Sequence, residues 1–209
     1  MSRTTAEQRR EQIRNAAYQC FRDHGYHETS VDTICEAAGI SKGSFYWSFD
    51  SKQAVLVDII DVWTRQVMDE LYEQFQAAVL APDYMDAITA ALARESKRGR
   101  TILPVWVECV SLSGREPRIQ AAMAHFHGRL RTAIAEMLRP ALVPRLDEGA
   151  LQSVAAGVLG AYVGLVMQEH ADPAGVAAEQ TMAAIMGVLR PWLAVGYPVV
   201  AREAGPEQT

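Results

Sequence analysis

Few residues in this 209-residue chain could bind a metal or act as a nucleophile, and their spacing suits neither task. His125 and His127 stand two positions apart, which places them on nearly opposite sides of a helix and keeps them from sharing one ion. Cys20, Cys35 and Cys109 are far apart, and each lies among apolar neighbours, as small buried side chains do in a reducing compartment. We therefore expect neither a metal site nor a disulfide framework.

The remaining candidates for catalysis are equally weak. Residues 39–44 read Gly-Ile-Ser-Lys-Gly-Ser, which contains the residue types of a phosphate-binding loop, but the lysine precedes the second glycine. No H-E-x-x-H or dinucleotide fingerprint occurs. Glu108 is a lone acid in an apolar run, but its wheel position lies away from Trp106, which favours a solvated or hydrogen-bonded structural role. We expect no enzyme activity and no cofactor.

One compact group of side chains has the spacing of a single exposed helix face. On a helix that begins after Ser41, Phe45 and Phe49 point to the same side, where they can pack in a core. The opposite arc presents small and aromatic residues, namely Gly43, Ser44, Tyr46 and Trp47. We interpret this arc as a surface that enters the major groove of DNA, where a glycine lets backbone approach closely. The alternative is that Trp47 covers a neighbouring element of the protein.

The charge of the chain argues against a broad basic DNA-binding face. The formal net charge is −5, and in the first 52 residues seven Lys and Arg balance seven Asp and Glu. Phosphate contacts would then have to come from helix N-termini and a few placed cations, supplemented by a second copy of the domain. The candidates are three serine caps and the lysines that follow two of them: Ser30, Ser41, Ser51, Lys42 and Lys52.

Helical periodicity and capping residues predict an all-α chain with no strand. Ser30 begins one helix that Gly39 ends, and Ser41 and Ser51 begin the next two. We place a DNA-binding domain at residues 1–50, with a helix-turn-helix at about 30–49. A helical ligand-binding and dimerisation domain at 51–200 and a tail at 201–209 follow.

Proline and glycine residues predict five more helices after the long one that starts at Ser51. Pro104, Pro117 and Pro173 each suit a first helical turn, where a missing N–H does no harm. The predicted helices span residues 83–97, 103–113, 117–139, 147–170 and 173–194.

The pattern T-S-V-x-x-I-x-x-x-A-G-I-S-K-G-S-F-Y-x-x-F-x-S-K at residues 29–52 resembles the DNA-binding domain of TetR-family transcriptional regulators. Ser48 departs from the pattern, because relatives often carry histidine or tyrosine there, and a longer phosphate donor is thereby lost. The resemblance implies that phosphates or bases are contacted by Ser30, Lys42, Gly43, Tyr46 and Lys52.

The resemblance also implies a function. Such a protein is a cytoplasmic regulator, usually a repressor, that binds a palindromic double-stranded DNA operator as a homodimer and leaves it when a small molecule binds. We expect an apolar or aromatic effector. The sequence does not distinguish an activator from a repressor. The alternative from another class is a helical small-molecule-binding protein, or a minor enzyme, with a vestigial helix-turn-helix.

The last two helices are expected to form the dimer interface, as pairs of helices do in this family. Ala156, Gly160 and Gly164 recur every fourth residue and leave a smooth strip for close helix approach. The alternative is that these residues form an intramolecular core. The expected interface comprises Ala156, Leu159, Gly160, Tyr162, Val163, Val166, Met182, Ile185, Met186 and Leu189.

The middle helices are expected to enclose the ligand. Each aromatic or apolar residue there could equally be ordinary core. The candidate lining residues are Trp63, Phe75, Met85, Trp106, Cys109, Val110, Met123 and Phe126.

The stretch between Glu148 and Glu169 holds twenty uncharged residues, which reaches the length of a membrane span. It is mostly Ala, Gly and Val, contains Gln152 and Ser153, and lacks a basic flank. The polar first residues are also unlike a signal peptide. We expect a buried bundle helix and no membrane association.

Overall fold

The computed structural model describes the backbone of residues 3–81, 83–142 and 146–194. Side chains are described in those ranges except at 3–5, 85, 92–98, 141 and 189–194. Every regular element in these ranges is an α-helix, which confirms the all-α prediction. The helices are α1 (Arg3–His24), α2 (Val31–Ala38), α3 (Lys42–Ser48), α4 (Lys52–Val79), α5 (Tyr84–Ser113), α6 (Pro117–Leu142), α7 (Glu148–Ala171) and α8 (Ala178–Ala194).

Serine caps begin the three helices that follow α1, as predicted. The hydroxyl oxygens of Ser30, Ser41 and Ser51 each accept a hydrogen bond from a backbone N–H three residues on, at 3.0, 3.2 and 3.1 Å. Gly39 ends α2 with φ of +63°, a left-handed conformation that glycine adopts without strain. These signals produce the sharp turn between α2 and α3.

The N-terminal domain includes the beginning of α4. Phe45 of α3 and Phe49, which directly follows α3, are buried in the core with residues of α1 and α2, as the wheel predicts. Asp58 of α4 accepts hydrogen bonds from Arg10 at 2.7 Å and from Arg14 at 2.6 Å. These two ion pairs connect α1 to the first turns of α4, so the beginning of α4 packs as part of the N-terminal domain.

Helices α4 to α8 form a bundle in which α4 packs on α6, α6 on α7, and α5 on α8. The two helices predicted at 83–97 and 103–113 are one continuous helix, α5, with Pro104 inside it. A proline inside a helix removes the hydrogen bond to the carbonyl four residues earlier, and its ring crowds that carbonyl. Buried residues on both sides of it, among them Ile88 and Val105, hold the helix together across that gap.

Two further expectations about the C-terminal helices were wrong. Helix α8 begins at Ala178 rather than at Pro173, because the Asp172 carboxylate accepts the Gly175 N–H at 3.0 Å and holds a turn there. Helix α7 was expected to be buried, but only 22% of its most apolar stretch is. Among the described residues it is also the one helix long and apolar enough to cross a membrane, which a core helix of a soluble protein can also satisfy.

Candidate nucleic-acid interface and apolar cavity

The exposed side of α3 carries the side chains that the wheel predicts. Trp47 is 64% exposed and Tyr46 54% exposed, while Phe45 beside them is fully buried. Gly43 is exposed, and a Cβ atom placed on it would meet nothing nearer than the Ser41 hydroxyl at 3.8 Å. The α3 surface, which we define as Gly43, Ser44, Tyr46 and Trp47, therefore projects two aromatic rings beside an open backbone.

The serine caps and one lysine surround this surface. Ser30 and Ser41 are exposed at the first turns of α2 and α3. Lys42 makes an ion pair with Asp32 at 2.6 Å, and both side chains are more than 60% exposed. Because exposed ion pairs are weak, a phosphate can replace this carboxylate at little cost.

Lys52 does not join them in this structure, because its ammonium is directed into the turn that follows α1. Its ammonium donates to the carbonyl oxygens of Tyr26 at 2.6 Å and Thr29 at 2.7 Å, and lies 4.3 Å from the Tyr26 ring centroid. Desolvation lowers the pKa of the Lys52 ammonium, although the carboxylates of Glu108 and Glu28 oppose that shift. The lysine satisfies carbonyl groups of the turn that follows α1.

The same turn is held from α5. Glu108 accepts the Tyr26 N–H at 3.1 Å, which confirms that this acid is hydrogen-bonded. Tyr18 of α1 donates its hydroxyl to the Thr101 carbonyl of α5 at 2.8 Å. We call these two contacts the α1–α5 joint. They connect the N-terminal domain directly to the helix bundle.

An apolar cavity of about 80 Å³ lies between α4, α5, α6 and α7. The aromatic side chains around it are Trp106, Phe126, His127 and Tyr162. Burial and the positive charge of Arg131 lower the pKa of His127, so its imidazole is neutral at pH 7. The cavity therefore has an apolar wall with a few neutral polar groups.

Trp106 and Phe126 line the cavity as predicted, but most of the other candidates do not. Cys109 and Met123 are buried in the core elsewhere, and burial raises the pKa of the Cys109 thiol to about 12. Val110 is 41% exposed, because the apolar circumference of α5 is wider than the side that packs. The sequence of a long apolar helix does not show which of its sides is buried until the helices that pack against it are known. Phe75 is half-buried away from the cavity, Trp63 lines a separate recess, and the Met85 side chain lies outside the described residues.

The predicted dimer residues divide into two groups. Ala156, Gly160 and Ile185 are exposed. The others with described side chains face inward, which is a correction, because α7 is apolar on both sides and the pattern did not show which side packs. Leu159, Tyr162, Val163 and Val166 line the cavity, and Met182 and Met186 are core residues. The Leu189 side chain lies outside the described residues.

A feature that the sequence analysis missed is a groove of about 620 Å³ between α1 and α3. Gln8, Arg9 and Gln12 of α1 line it, opposite Gly43 and Trp47 of α3. The relevant signal was the polar side of α1, whose residues at positions 8, 9 and 12 share one face.

The fold and the exposed α3 surface define a helix-turn-helix DNA-binding protein whose helical domain contains an apolar cavity. The family model of bacterial regulatory proteins of the TetR family matches residues 13–59, and that of the BetI-type transcriptional repressor C-terminal domain matches residues 82–191. The chain belongs to the TetR family of transcriptional regulators, which are typically repressors with a ligand-binding C-terminal domain.

Individual relatives agree with this assignment. The chain is 28% identical over 138 residues to the HTH-type transcriptional regulator UidR of Escherichia coli K12, covering 66% of this chain and 68% of UidR. Its fold is similar to that of a Pseudomonas aeruginosa PAO1 protein described as a transcriptional regulator, with a TM-score of 0.77, 23% identity and coverage of 91% and 92%. The fatty acid degradation regulator FadR of Bacillus halodurans has a TM-score of 0.71, 18% identity and coverage of 87% and 94%.

Proposed function

We propose that this chain is a cytoplasmic homodimeric repressor that binds a palindromic operator through α3 and releases it when a small apolar or aromatic effector enters the cavity. The observation that carries the DNA-binding role is the exposure of Tyr46 and Trp47. Phe45 and Phe49 of the same segment are buried, so this domain can cover aromatic rings but leaves these two uncovered. Together with Ser30, Ser41, Lys42, Gly43 and Ser44, they form the proposed contact surface.

The proposal of a dimer rests on the exposed side of α7 and α8. A Cβ atom added at Gly157, Gly160 or Gly164 would meet nothing within 4 Å. No neighbour among the described residues therefore requires these glycines to be small. Exposed apolar side chains lie on the same two helices, with Met167 at 45% and Val188 at 73% exposure. A second copy that packs against this strip would bury them and explain why small residues occur there.

The effector class follows from the cavity wall. The wall offers a neutral imidazole from His127 and a hydroxyl from Tyr162, and no described carboxylate or ammonium group lines it. A charged ligand would lose its hydration without gaining a counter-charge. We therefore propose a neutral, largely apolar or aromatic effector.

The size of the cavity suggests how the effector acts. A closed apolar cavity of about 150 Å³ holds benzene, whereas this cavity measures about 80 Å³. A ligand of one ring or more that becomes fully enclosed there would therefore displace the wall. The α5 part of that wall includes Gly99 and Trp106, which bracket Thr101 in sequence, and Glu108 follows two residues later. Displacement of α5 would disturb the α1–α5 joint.

The consequence for DNA is a change of spacing. Two recognition helices of a dimeric repressor must lie about 34–36 Å apart to enter successive major grooves. An effector that binds the displaced form of α5 more tightly shifts the population toward dimers whose α3 helices no longer match that distance. Operator affinity then falls.

The experiment is a fluorescence-anisotropy titration with a duplex that the wild-type protein selects from a random-sequence pool. Replacing Tyr46 and Trp47 together with alanine should weaken binding at least tenfold, because the two largest exposed groups of the α3 surface are lost. Tyr72→Ala is the matched control, since Tyr72 is 65% exposed on α4 and should leave affinity unchanged.

Circular dichroism should show that both variants remain folded, because the altered side chains are exposed. Equal affinity of the wild type and the Tyr46→Ala/Trp47→Ala variant would exclude α3 as the recognition surface. A pool from which no sequence is enriched would favour the ligand-binding protein with a vestigial helix-turn-helix.

A further inference from the structure

We propose that Arg9, positioned by Gln12, contacts the DNA backbone beside the α3 surface and so extends the interface to α1. The inference rests on the proposed DNA-binding function and adds two residues that the helix-turn-helix motif does not contain. The groove between α1 and α3 provides the first observation. Arg9 and Gln12 line this groove together with Ser44 and Trp47, so a strand that touches the α3 surface passes the Arg9 guanidinium.

A short relay of hydrogen bonds orients Arg9. The Gln12 Nε2 group donates to the Ala38 carbonyl at 2.6 Å. That carbonyl lies at the end of α2, where carbonyl groups lack a partner within the helix. The side-chain oxygen of Gln12 accepts a hydrogen bond from Arg9 Nη1 at 2.8 Å. Because the amide nitrogen is occupied by Ala38, the oxygen of Gln12 must point toward Arg9, and the guanidinium is held in place.

The charge of Arg9 distinguishes it from the other cations of the domain. The other cationic side chains of the domain that are described all have partners. Carboxylates balance the charge of four of them: Arg10 and Arg14 pair with Asp58, Arg22 with Asp23, and Lys42 with Asp32. The ammonium of Lys52 donates its hydrogen bonds to backbone carbonyls.

Arg9 faces the neutral amide of Gln12 and, within the described part of the chain, no carboxylate at ion-pair distance. Its positive charge is thus available to a ligand. A guanidinium with remaining N–H donors is suited to phosphate oxygens. In a domain without a basic face, one oriented and uncompensated cation beside the α3 surface contributes a large share of the phosphate attraction.

The test measures the affinity for the selected duplex over a series of KCl concentrations. Each phosphate contact contributes about 0.9 to the slope of log K against log[salt]. Arg9→Gln should therefore reduce that slope by about 1.8 in a dimer and weaken binding to all sequences to a similar extent. Arg22→Gln, at the other end of α1, should leave the slope unchanged because its charge is paired with Asp23.

A double-mutant cycle tests the positioning role of Gln12. Gln12→Ala should weaken binding severalfold in the wild-type background and have no further effect in the Arg9→Gln background. A structural role of Gln12 through Ala38 alone would weaken binding equally in both backgrounds and would overturn the positioning claim. An unchanged salt slope in Arg9→Gln would overturn the contact.

Different results would exclude the Arg9 contact and the α3 surface. If the Tyr46→Ala/Trp47→Ala variant loses affinity while Arg9→Gln keeps the wild-type salt slope, only the Arg9 inference is wrong. If the Tyr46→Ala/Trp47→Ala variant binds like the wild type, the α3 surface itself is wrong. Arg9 lies outside the described core, so the unfolding curve of Arg9→Gln should match that of the wild type. Gln12→Ala also removes the hydrogen bond to the Ala38 carbonyl, so its unfolding curve should shift slightly while the protein remains folded.

Discussion

Two lysines that occupy equivalent places at the start of helices have different partners. Lys42 projects from α3 toward an exposed carboxylate, whereas Lys52 at the start of α4 directs its ammonium into the turn after α1. Gly25 ends α1 with φ of +80°, and the turn that follows presents carbonyl oxygens to Lys52. A motif records which residue stands at a position but not where its side chain points, so the two lysines were indistinguishable in the sequence.

Replacing Lys52 with methionine should therefore act on stability. The substitution keeps the apolar stem but leaves the carbonyls of Tyr26 and Thr29 without their charged donor. Hydrogen bonds to charged groups contribute about 1.5–3 kcal/mol, and partial solvent access reduces this to a loss of about 1–2 kcal/mol in the free energy of unfolding. Urea unfolding measures the loss. Lys42→Met is the control and should change stability by less than about 0.5 kcal/mol; equal losses in both variants would contradict the assignment.

At the scale of elements, local signals predicted how helices begin but not how far they continue. The serine caps and Gly39 act within one turn, so sequence alone placed α2, α3 and the start of α4. The continuity of α5 through Pro104 depends on packing along its whole length, which local rules do not contain. Because α5 is one helix, the cavity residue Trp106 and the joint residue Glu108 move as parts of the same element.

The α1–α5 joint should matter for DNA binding more than for stability. Glu108→Ala removes the acceptor of the Tyr26 N–H and lets the N-terminal domain take a wider range of orientations. Fewer dimers then hold their recognition helices at the right distance, which lowers the apparent affinity. We expect several-fold weaker binding to the selected duplex, measured by anisotropy, with Glu108→Gln intermediate because it retains an acceptor oxygen. Glu73→Ala, an exposed acid on α4, is the control; wild-type affinity in Glu108→Ala would show that the joint does not set the orientation.

At the scale of the whole molecule, α7 is apolar on two sides, and the structure shows that one of them encloses the cavity. Leu159 and Val166 line that side, while Gly160 and Met167 lie on the exposed side. The spacing of apolar residues could not show which side faces the cavity, because a helix that is apolar on all sides has no distinct polar face. A dimer through the exposed side would bury this apolar surface. It would also supply the second DNA-binding domain, which is needed because the N-terminal domain has no net positive charge.

Dimeric operator binding is tested most directly by sedimentation velocity of the protein alone and with the selected duplex. We expect a dimer in free solution and two chains on each duplex. Gly160→Arg should sediment as a folded monomer and lose specific binding, since a Cβ atom at Gly160 meets nothing within 4 Å in its own chain and the side chain would point toward the partner. Ala124→Arg, exposed on α6, should behave as the wild type. A Gly160→Arg protein that still forms dimers and binds the duplex normally, or a wild-type monomer that binds it specifically, would exclude dimerisation through the exposed side of α7.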